Sequence, residues 1–367
     1  MATIKIIHCA DLHIGARESL LGEKADMRRT EALLTFEKIA ETARQNNVEL
    51  CLIAGDLLHG NKTERSFIER IFDSIKSTPQ TKFVFSAGNH DPLNSESPFF
   101  KAELPENLIV MPEKDSVFEI KDKVKVYGKS FCEIINKGED SFSVAADESC
   151  INIMCIHGEY GTNSGRNPIT DKFIADSGMD YIALGHIHKR SDIEKRGNTF
   201  FAYCGCAEGQ GFDETGEKGI YMGEIGKGIC DLSFIPVCRR IHICESVEVN
   251  GLGSSAEICS RILGSLLEKY GEDYEKNIYK ITLTGVLEEN AEINIADISA
   301  RLMQSLYFAC VIDDTRLEFN LEALKNEVSL KGIFVTKMLQ RIEDNPENAK
   351  ALTEALKIGL KAFNGEG

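Results

Sequence analysis

Hydrophobic and polar positions alternate along the first 240 residues in a pattern that predicts strands and helices in turn. Apolar runs at 4–10, 48–54 and 82–87 are typical of buried strands. Between them, apolar residues recur with helical spacing over 28–46 and 63–77, which predicts two amphipathic helices that pack on a sheet. Strands that alternate with helices favour a parallel sheet with right-handed crossovers, as in an α/β fold.

Shorter strands follow beyond residue 92. The apolar runs at 151–156 and 180–184 are typical of buried strands, and further strands are predicted at 117–120, 124–127, 192–195, 199–203, 220–225 and 229–237. We expect the last four of these to form an antiparallel series. The whole then becomes two sheets packed face to face, with helices outside.

The pattern changes again near residue 239 and predicts further domains. Strands at 243–249, 278–283 and 309–312 alternate with helices at 256–269 and 295–306, which describes a smaller α+β unit, and helices are predicted from 317 to the end. We therefore predict three domains, at 1–238, 239–316 and 317–367.

Polar side chains stand where the apolar runs end. The strand that starts at Leu50 leads directly into Gly55 and Asp56, and four other runs end in a turn that carries Asp, Asn or His. Because the carboxyl ends of strands in a covered sheet meet at one crevice, we expect these side chains to lie close together. The residues in question are Asp11, His13, Asp56, Asn89, His90, His157, His186 and His188.

The types of these residues predict a site for divalent metal ions. In the pairs Asp11/His13 and His186/His188, side chains at i and i+2 of an extended segment would face the same way. Asp56, at the end of a buried strand, would be costly to bury unless it met a cation, and it is placed to bridge two ions. Carboxylate, imidazole and amide donors without thiolate suit Mn²⁺, Fe²⁺ or Zn²⁺. Two ions about 3.5 to 4 Å apart can generate hydroxide and stabilise a phosphoryl transition state.

Net charge, the length of the apolar runs and the cysteine content limit the classes of protein to which this chain could belong. The chain has 367 residues and a net charge of -16, which argues against a surface that attracts nucleic acid everywhere. A nuclease is not excluded, since bound divalent cations reverse the field at its active site. No run of about 18 apolar residues occurs, so we expect a soluble, cytoplasmic protein without a membrane partner. Most of the 12 cysteines lie in apolar strands as reduced thiols, and we expect Cys204 and Cys206 to be structural.

The strand-end motifs together resemble a known family. Asp11-x-His13, Gly55-Asp-x-x-His59, Gly88-Asn-His-Asp91, His157-Gly158 and Gly185-His-x-His188 resemble the five signature blocks of the calcineurin-like metallophosphoesterases. The form of the block at 55–59, with the segments at 203–205 and 211–219, is similar to the DNA-repair exonuclease branch of SbcD and the eukaryotic break-repair nuclease. The resemblance covers residues 3–236, and the 239–316 unit resembles that branch's capping domain in topology alone. One departure is that Cys204 and Cys206 flank Gly205, where the branch more often has proline.

The resemblance also implies roles for the site residues. It implies one metal ion held by Asp11, His13, Asp56 and His188, and a second held by Asp56, Asn89, His157 and His186. It implies that His90 contacts the scissile phosphate without binding metal, and that His59 is an accessory histidine near the DNA strand. The implied metal is most often Mn²⁺, with iron or zinc as alternatives.

The function implied by the resemblance is that of a manganese-dependent DNA repair exonuclease. Its expected partners are DNA and an SbcC-like coiled-coil ATPase, which the final helices could dock, and a homodimer is compatible with the sequence. A small-molecule phosphodiesterase or phosphatase with the same centre is an alternative, and a non-catalytic scaffold that retains metal for folding is another.

The remaining polar residues have alternative interpretations. We expect His8, in mid-strand, to be structural and Asp91 to order its own turn. The basic pairs Arg28/Arg29, Lys62/Arg65 and Lys189/Arg190 could contact a phosphate backbone or belong to the solvated surface.

Overall fold

The computed structural model describes residues 2–133, 142–161, 167–287, 293–317 and 321–363. The chain divides into two compact units, Met1–His242 and Ile243–Gly367. The three-domain division expected from the sequence, with boundaries after 238 and 316, stays a prediction.

The first unit alternates strands with helices as the apolar pattern predicts. In chain order its elements are β1 (Thr3–Cys9), α1 (Ala25–Gln45), β2 (Leu50–Ile53), α2 (Arg65–Lys76), β3 (Lys82–Phe85), α3 (Pro98–Lys101), β4 (Leu108–Val110), β5 (Ser116–Lys121), β6 (Val124–Gly128), β7 (Ile151–His157), β8 (Glu159–Tyr160), β9 (Pro168–Ile169), α4 (Asp171–Asp176), β10 (Tyr181–Gly185), β11 (Glu194–Arg196), β12 (Thr199–Tyr203), β13 (Gly219–Gly226) and β14 (Ile229–Pro236). A 3-10 helix, Ser19–Lys24, precedes α1.

Two six-stranded sheets form the centre of this unit. The first has the order β14-β13-β1-β2-β3-β4, and the second has the order β11-β12-β10-β7-β6-β5. In the first sheet, β1, β2 and β3 are parallel, as predicted, so that Ile7 lies opposite Cys51 and Cys51 lies opposite Phe83. The strand β4, which was not predicted, extends the parallel series beside β3. All the strands that lead into the polar turns therefore point their carboxyl ends in one direction within each sheet.

The predicted antiparallel series is only partly correct. The pairs β11/β12 and β13/β14 are antiparallel, which confirms the prediction for them. β12 pairs in parallel with β10, which the prediction missed. The reason is that the chain first runs back along the sheet edge as β11, and β12 then inserts between β11 and β10 in the direction of β10.

Apolar side chains fill the layers on both faces of the first sheet. On one face, Leu33, Phe36 and Ile39 of α1 pack with Ile71 and other residues of α2 against the strands. Between the sheets, a second cluster includes Ile6, Leu52 and Val84 from the first sheet and Ile153 and Tyr181 from the second. Each of these side chains is almost completely buried, and together they account for the pairing of two sheets with helices outside. The predicted α/β two-sheet fold is confirmed.

Arg28 is buried inside the first unit, and both of its predicted environments are wrong. Its side chain is only 5% exposed. It donates to Glu31 at 3.0 Å, to Glu208 at 2.5 Å and to the carbonyl of Gly209 at 2.6 Å. A guanidinium can be buried at this position because it is paired with carboxylates and its donors are used. Arg28 is therefore unable to reach a phosphate backbone, and it is not part of the solvated surface.

The strand β15 (His242–Glu248) begins at the last residue of the first unit. The second unit continues with α5 (Ser255–Tyr270), β16 (Ile278–Thr284), β17 (Val286–Leu287), α6 (Ile295–Ser305), β18 (Phe308–Asp313), β19 (Arg316–Leu317), α7 (Leu321–Lys325), α8 (Leu330–Asp344) and α9 (Ala349–Phe363). Its main sheet has the order β15-β16-β18, with β16 and β18 parallel. The start of the C-terminal helices differs from the prediction, because Leu317 pairs with Leu287 in a two-stranded sheet.

Among the described residues, no helix is both long enough and apolar enough to cross a membrane.

The burial of Arg28 predicts the outcome of its substitution. Arg28→Met should lower the free energy of unfolding by about 3 to 5 kcal/mol, because it leaves the buried carboxylate of Glu208 without its counter-charge, whereas Glu31 keeps its ion pair with Arg240. Urea unfolding followed by circular dichroism measures this difference. Arg17→Met is the control, since Arg17 is 65% exposed and its ion pair with Asp26 should contribute less than about 1 kcal/mol. Equal effects of the two substitutions would contradict the assigned burial.

Candidate metal centre

Five turns at the carboxyl ends of strands carry the candidate site. Each turn directly follows, or ends, a strand whose side chains are mostly buried. The turns after β1, β2, β3, β7 and β10 bring together nine side chains that the sequence singled out: Asp11, His13, Asp56, His59, Asn89, His90, His157, His186 and His188.

The backbone of these turns is strained where the functional side chains stand. Asp11, His13, Asp56 and His186 have φ values of 51°, 46°, 49° and 105°. Non-glycine residues rarely adopt positive φ, and each such conformation costs on the order of 1 to 3 kcal/mol. The prediction that Asp11/His13 and His186/His188 lie on extended segments is therefore wrong.

Hydrogen bonds between neighbouring turns hold the strained backbone in place. The amide of Asp11 donates to the carbonyl of Gly55 at 3.1 Å, and the amide of His13 donates to the carbonyl of Asp56 at 2.9 Å. These bonds lock the turn after β1 against the turn after β2. Asp11 and His13 reach the same site because the chain coils there, rather than because a strand alternates.

Two glycines allow the turns to come this close. A Cβ atom on Gly88 would lie 2.2 Å from Oδ1 of Asp56, and a Cβ atom on Gly185 would lie 1.7 Å from the carbonyl oxygen of Ala54. No side chain is accommodated at such distances. The glycines of the Gly-Asn-His-Asp and Gly-His-x-His motifs are therefore required by packing at the site itself.

The donor atoms are separated by distances that suit shared cations. Nε2 of His13 lies 3.1 Å from Nε2 of His188, and Oδ2 of Asp56 lies 3.8 Å from Nε2 of His13. Two donors that are each about 2.1 Å from one ion, at roughly a right angle, lie about 3 Å apart. Asp11, His13 and His188 form one group of atoms within 4.8 Å of one another.

A second group lies on the other side of Asp56. Oδ2 of Asp56 is 3.4 Å from Nε2 of His157, which in turn is 3.2 Å from Oδ1 of Asn89. Nδ1 of His157 lies 2.9 Å from the carbonyl oxygen of Ala54, and a carbonyl only accepts, so this nitrogen carries a proton. Asp11, Asp56 and His157 are the three members of this group that lie within 4.8 Å. Asp56 therefore stands between two donor sets.

The buried carboxylates of the site are stable in their ionised form only if positive charge lies close to them. Asp11 is 0% exposed and Asp56 is 2% exposed. Burial raises the pKa of Asp11 to about 6, despite the opposing charge of His157. Burial also raises the pKa of Asp56, but the charges of His157 and His13 and the hydrogen bonds it accepts outweigh burial and hold that pKa well below its usual range. Two adjacent carboxylates are thus buried side by side.

His157 is the buried imidazole that faces both carboxylates. Burial lowers its pKa, but the charges of Asp56 and Asp11 outweigh this effect and raise the pKa to about 9. Nε2 of His157 faces Oδ2 of Asp56 at 3.4 Å, so both carboxylates favour a positive charge at this position. A divalent cation would supply that charge, and the donor set fits metal ions of the kind that oxygen and imidazole ligands prefer.

The open side of the site is formed by histidines that are exposed. The ring of His90 lies 4.7 Å from that of His13, and the ring of His59 is stacked 5.5 Å from that of His90. The amide of His90 donates to Oδ1 of Asp56 at 2.9 Å, which fixes its position relative to the centre. His186 lies half-buried on the other side, where its amide donates to both carboxylate oxygens of Asp11 at 3.1 Å.

Comparison with known proteins agrees with this geometry. The model of the calcineurin-like phosphoesterase family matches residues 4–190, which is slightly more than half of the chain. This chain belongs to the calcineurin-like phosphoesterase family. Metallophosphoesterases use divalent metal ions, and this phosphoesterase has groups of His and Asp residues that could hold them.

Three relatives illustrate the range of similarity. The uncharacterized metallophosphoesterase YhaO of Bacillus subtilis is 28% identical over 250 residues, which cover 64% of this chain and 60% of the relative. The DNA double-strand break repair protein Mre11 of Methanopyrus kandleri is 24% identical over 289 residues, 71% of this chain and 62% of the relative. The Mre11 protein of Saccharolobus solfataricus is 23% identical over 309 residues, 77% of this chain and 75% of the relative. The phosphoesterase thus spans about three fifths of the length of the first two relatives.

Sequence reasoning missed two residues that contact the metal centre of this phosphoesterase. Glu214 accepts a hydrogen bond from Nδ1 of His188, and the ring of Phe131 meets the ring of His157 edge-on at 5.6 Å. Glu214 lies in the segment 211–219, which drew notice only for its resemblance to the exonuclease branch. No local pattern identifies Phe131.

The expectations for His8 and Asp91 are confirmed. His8 bonds to the hydroxyl of Tyr181 at 2.8 Å and to the carbonyl of Leu184 at 3.1 Å, as a structural residue does. Asp91 accepts hydrogen bonds from the amides of Gly88 at 2.7 Å and Leu58 at 3.0 Å, so it orders its own turn. Cys204 and Cys206 are buried free thiols.

The close approach at Gly88 predicts a loss of metal binding when a methyl group is added. Gly88→Ala should displace the carboxylate of Asp56 and weaken Mn²⁺ binding by about tenfold or more. Calorimetric titration of the metal-free protein measures this change. Gly60→Ala is the matched control, because a Cβ atom there meets nothing within 4 Å. Identical Mn²⁺ affinities for the two variants would show that Asp56 does not depend on this contact.

Proposed function

We propose that this phosphoesterase is a manganese-dependent nuclease that hydrolyses phosphodiester bonds of DNA, as a DNA repair exonuclease. The observation that carries the proposal is the position of Asp56. Its buried carboxylate lies between His13 on one side and His157 on the other, at 3.8 and 3.4 Å. A carboxylate so placed can bridge two ions, which is the arrangement used for hydrolysis of phosphate esters.

The proposed ligand sets divide the donors of the site between two ions and assign Asp11 to the first, although Asp11 also lies within 4.8 Å of Asp56 and His157. Asp11, His13, Asp56 and His188 would hold one ion, and Asp56, Asn89, His157 and His186 would hold the other. The distances within each group and the absence of a thiolate among these ligands support Mn²⁺, with iron or zinc as alternatives. When bound, the pair of ions supplies Lewis acidity and lowers the pKa of the attacking water.

His90 would act on the substrate rather than on the metal. Its amide is held by Asp56, and its ring faces the exposed side of the centre. From there the imidazole can donate a hydrogen bond to a phosphate oxygen or a proton to the leaving oxygen. His59, stacked against His90, would contact the DNA strand next to the scissile bond.

The relatives support DNA as the substrate. Two relatives that are aligned with 71% and 77% of this chain are named DNA double-strand break repair proteins. Lys189 directly follows the proposed ligand His188 and is exposed, so it could contact a phosphate.

An SbcC-like coiled-coil ATPase would be the partner of this nuclease. The C-terminal helices α8 and α9 leave Leu330, Ile333 and Ile358 exposed, which supports a protein-binding surface there. A homodimer is a further arrangement that the proposal accommodates.

One observation favours a second candidate, a small-molecule phosphodiesterase or phosphatase. A pocket of about 590 Å³ lies beside Asn89 and His90. Among the described residues, its lining includes Glu96 and Glu133 but neither lysine nor arginine. The negative charges of Glu96 and Glu133 repel the successive phosphates of a DNA strand. The same pocket can bind the uncharged part of a smaller diester.

Turnover of three substrates separates the two candidates. With Mn²⁺ present, hydrolysis of DNA ends should exceed that of cyclic nucleotides and of aryl phosphodiesters in kcat/KM if the first proposal is correct. Preference for a cyclic nucleotide would support the second candidate. Hydrolysis of none of these phosphoesters would favour a non-catalytic scaffold.

The proposed role of His90 predicts a variant that binds metal but does not react. His90→Ala should lower kcat for DNA hydrolysis by about 10²- to 10⁴-fold, because the group that stabilises or protonates the leaving oxygen is lost. Mn²⁺ content, measured by atomic emission on the gel-filtered protein, should remain that of the wild type. Undiminished hydrolysis by this variant would remove His90 from the mechanism.

A further inference from the structure

His188 is held from behind by a carboxylate that the proposed mechanism does not use. Its Nε2 atom faces His13 at 3.1 Å, on the side of the metal centre. Its Nδ1 atom, on the opposite side of the ring, donates to Oε1 of Glu214. The imidazole ring therefore lies between the metal centre and Glu214. Its Nε2 atom faces the centre, and its Nδ1 atom is hydrogen-bonded to Glu214.

Glu214 is itself fixed by its second carboxylate oxygen. Oε2 accepts hydrogen bonds from the amide of Gln210 at 2.8 Å and from the thiol of Cys206 at 3.6 Å. The amide of Cys206 donates to the carbonyl of His188 at 3.0 Å. The loop that carries Glu214 is thus bonded to both the backbone and the side chain of His188.

The loop is anchored to the body of the unit through Glu208. This buried carboxylate accepts from Arg28 at 2.5 Å and from the hydroxyl of Thr35 at 2.7 Å. Arg28 also donates to the carbonyl of Gly209, one residue further along the loop. Hydrogen bonds from α1 therefore hold residues 208 and 209, at the start of the loop that carries Glu214.

We propose that Glu214 is a positioning residue that orients His188 so that Nε2 points into the metal centre. The inference rests on the proposed function, because it assigns His188 as a metal ligand. A carboxylate bonded to the rear nitrogen of a ligating histidine fixes the tautomer and the ring orientation, and its loss typically weakens metal binding by about 10- to 100-fold.

Direct metal binding by Glu214 is the competing interpretation. Glu214, His188 and Cys206 offer donor atoms within 4.8 Å of one another. However, His188 and Cys206 both use the carboxylate of Glu214 as a hydrogen-bond acceptor, so both hold protons that an ion would have to displace. Positioning requires no such change.

Calorimetric titration of metal-free full-length protein with Mn²⁺ tests the inference. Glu214→Ala should weaken one class of Mn²⁺ sites by about 10- to 100-fold and leave the other class near the wild-type affinity. Glu214→Gln, which keeps an acceptor for Nδ1 but opposes the amide of Gln210, should have an intermediate affinity. Asp213→Ala is the matched control, since Asp213 is the exposed carboxylate of the preceding residue, and it should bind like the wild type.

A double-variant comparison distinguishes positioning from general destabilisation. In a His188→Ala background, Glu214→Ala should cause no further loss of Mn²⁺ affinity, because the residue through which it acts is gone. A loss of the same size in both backgrounds, or a wild-type affinity in Glu214→Ala, would overturn the inference. An anomalous difference map with a Glu214 oxygen bonded to Mn²⁺ would overturn it as well.

Failure of this inference can be distinguished from failure of the proposed function. If the wild type binds no Mn²⁺, the proposed metal centre is wrong and this inference is wrong with it. If the wild type binds Mn²⁺ and Glu214→Ala binds it equally well, only this inference is wrong.

Discussion

The burial of two neighbouring carboxylates is the constraint on which the rest of this structure depends. Asp11 and Asp56 lie at the carboxyl ends of adjacent parallel strands and have almost no access to water. Such a pair is tolerated only beside positive charge. The imidazole of His157 faces both carboxylates, and divalent ions can supply the positive charge that they need. The positive φ angles, the close glycines and the hydrogen bonds between turns all serve to keep these carboxylates and their histidines in place.

Much of this arrangement could be predicted from the sequence because parallel strands end at a common edge. Apolar runs located β1, β2, β3, β7 and β10 to within a few residues, and the polar residues that follow them gather at one site. The backbone conformation at Asp11 and His13 could not be predicted, because positive φ there is imposed by bonds to the turn after β2. The position of β12 between β10 and β11 was missed because the apolar pattern gives strands but not their order.

Residues that act from a distance along the chain also escaped prediction. Arg28 is buried by Glu208, which lies 180 residues further on, so its helical neighbours give no sign of its environment. Glu214 reaches His188 across 26 residues and follows no periodic pattern. Both residues belong to one series of hydrogen bonds that runs from α1 through the loop at 208–214 to His188. The acidic pocket beside His90 is similarly a product of the fold, because its lining comes from three separate segments, the turns after β2 and β3 and residues 132–133.

Anomalous diffraction from crystals grown with Mn²⁺ tests the central claim most directly. The account predicts two Mn²⁺ peaks about 3.5 to 4 Å apart, with the carboxylate of Asp56 bonded to both. A single peak, or two ions that do not share Asp56, would contradict it.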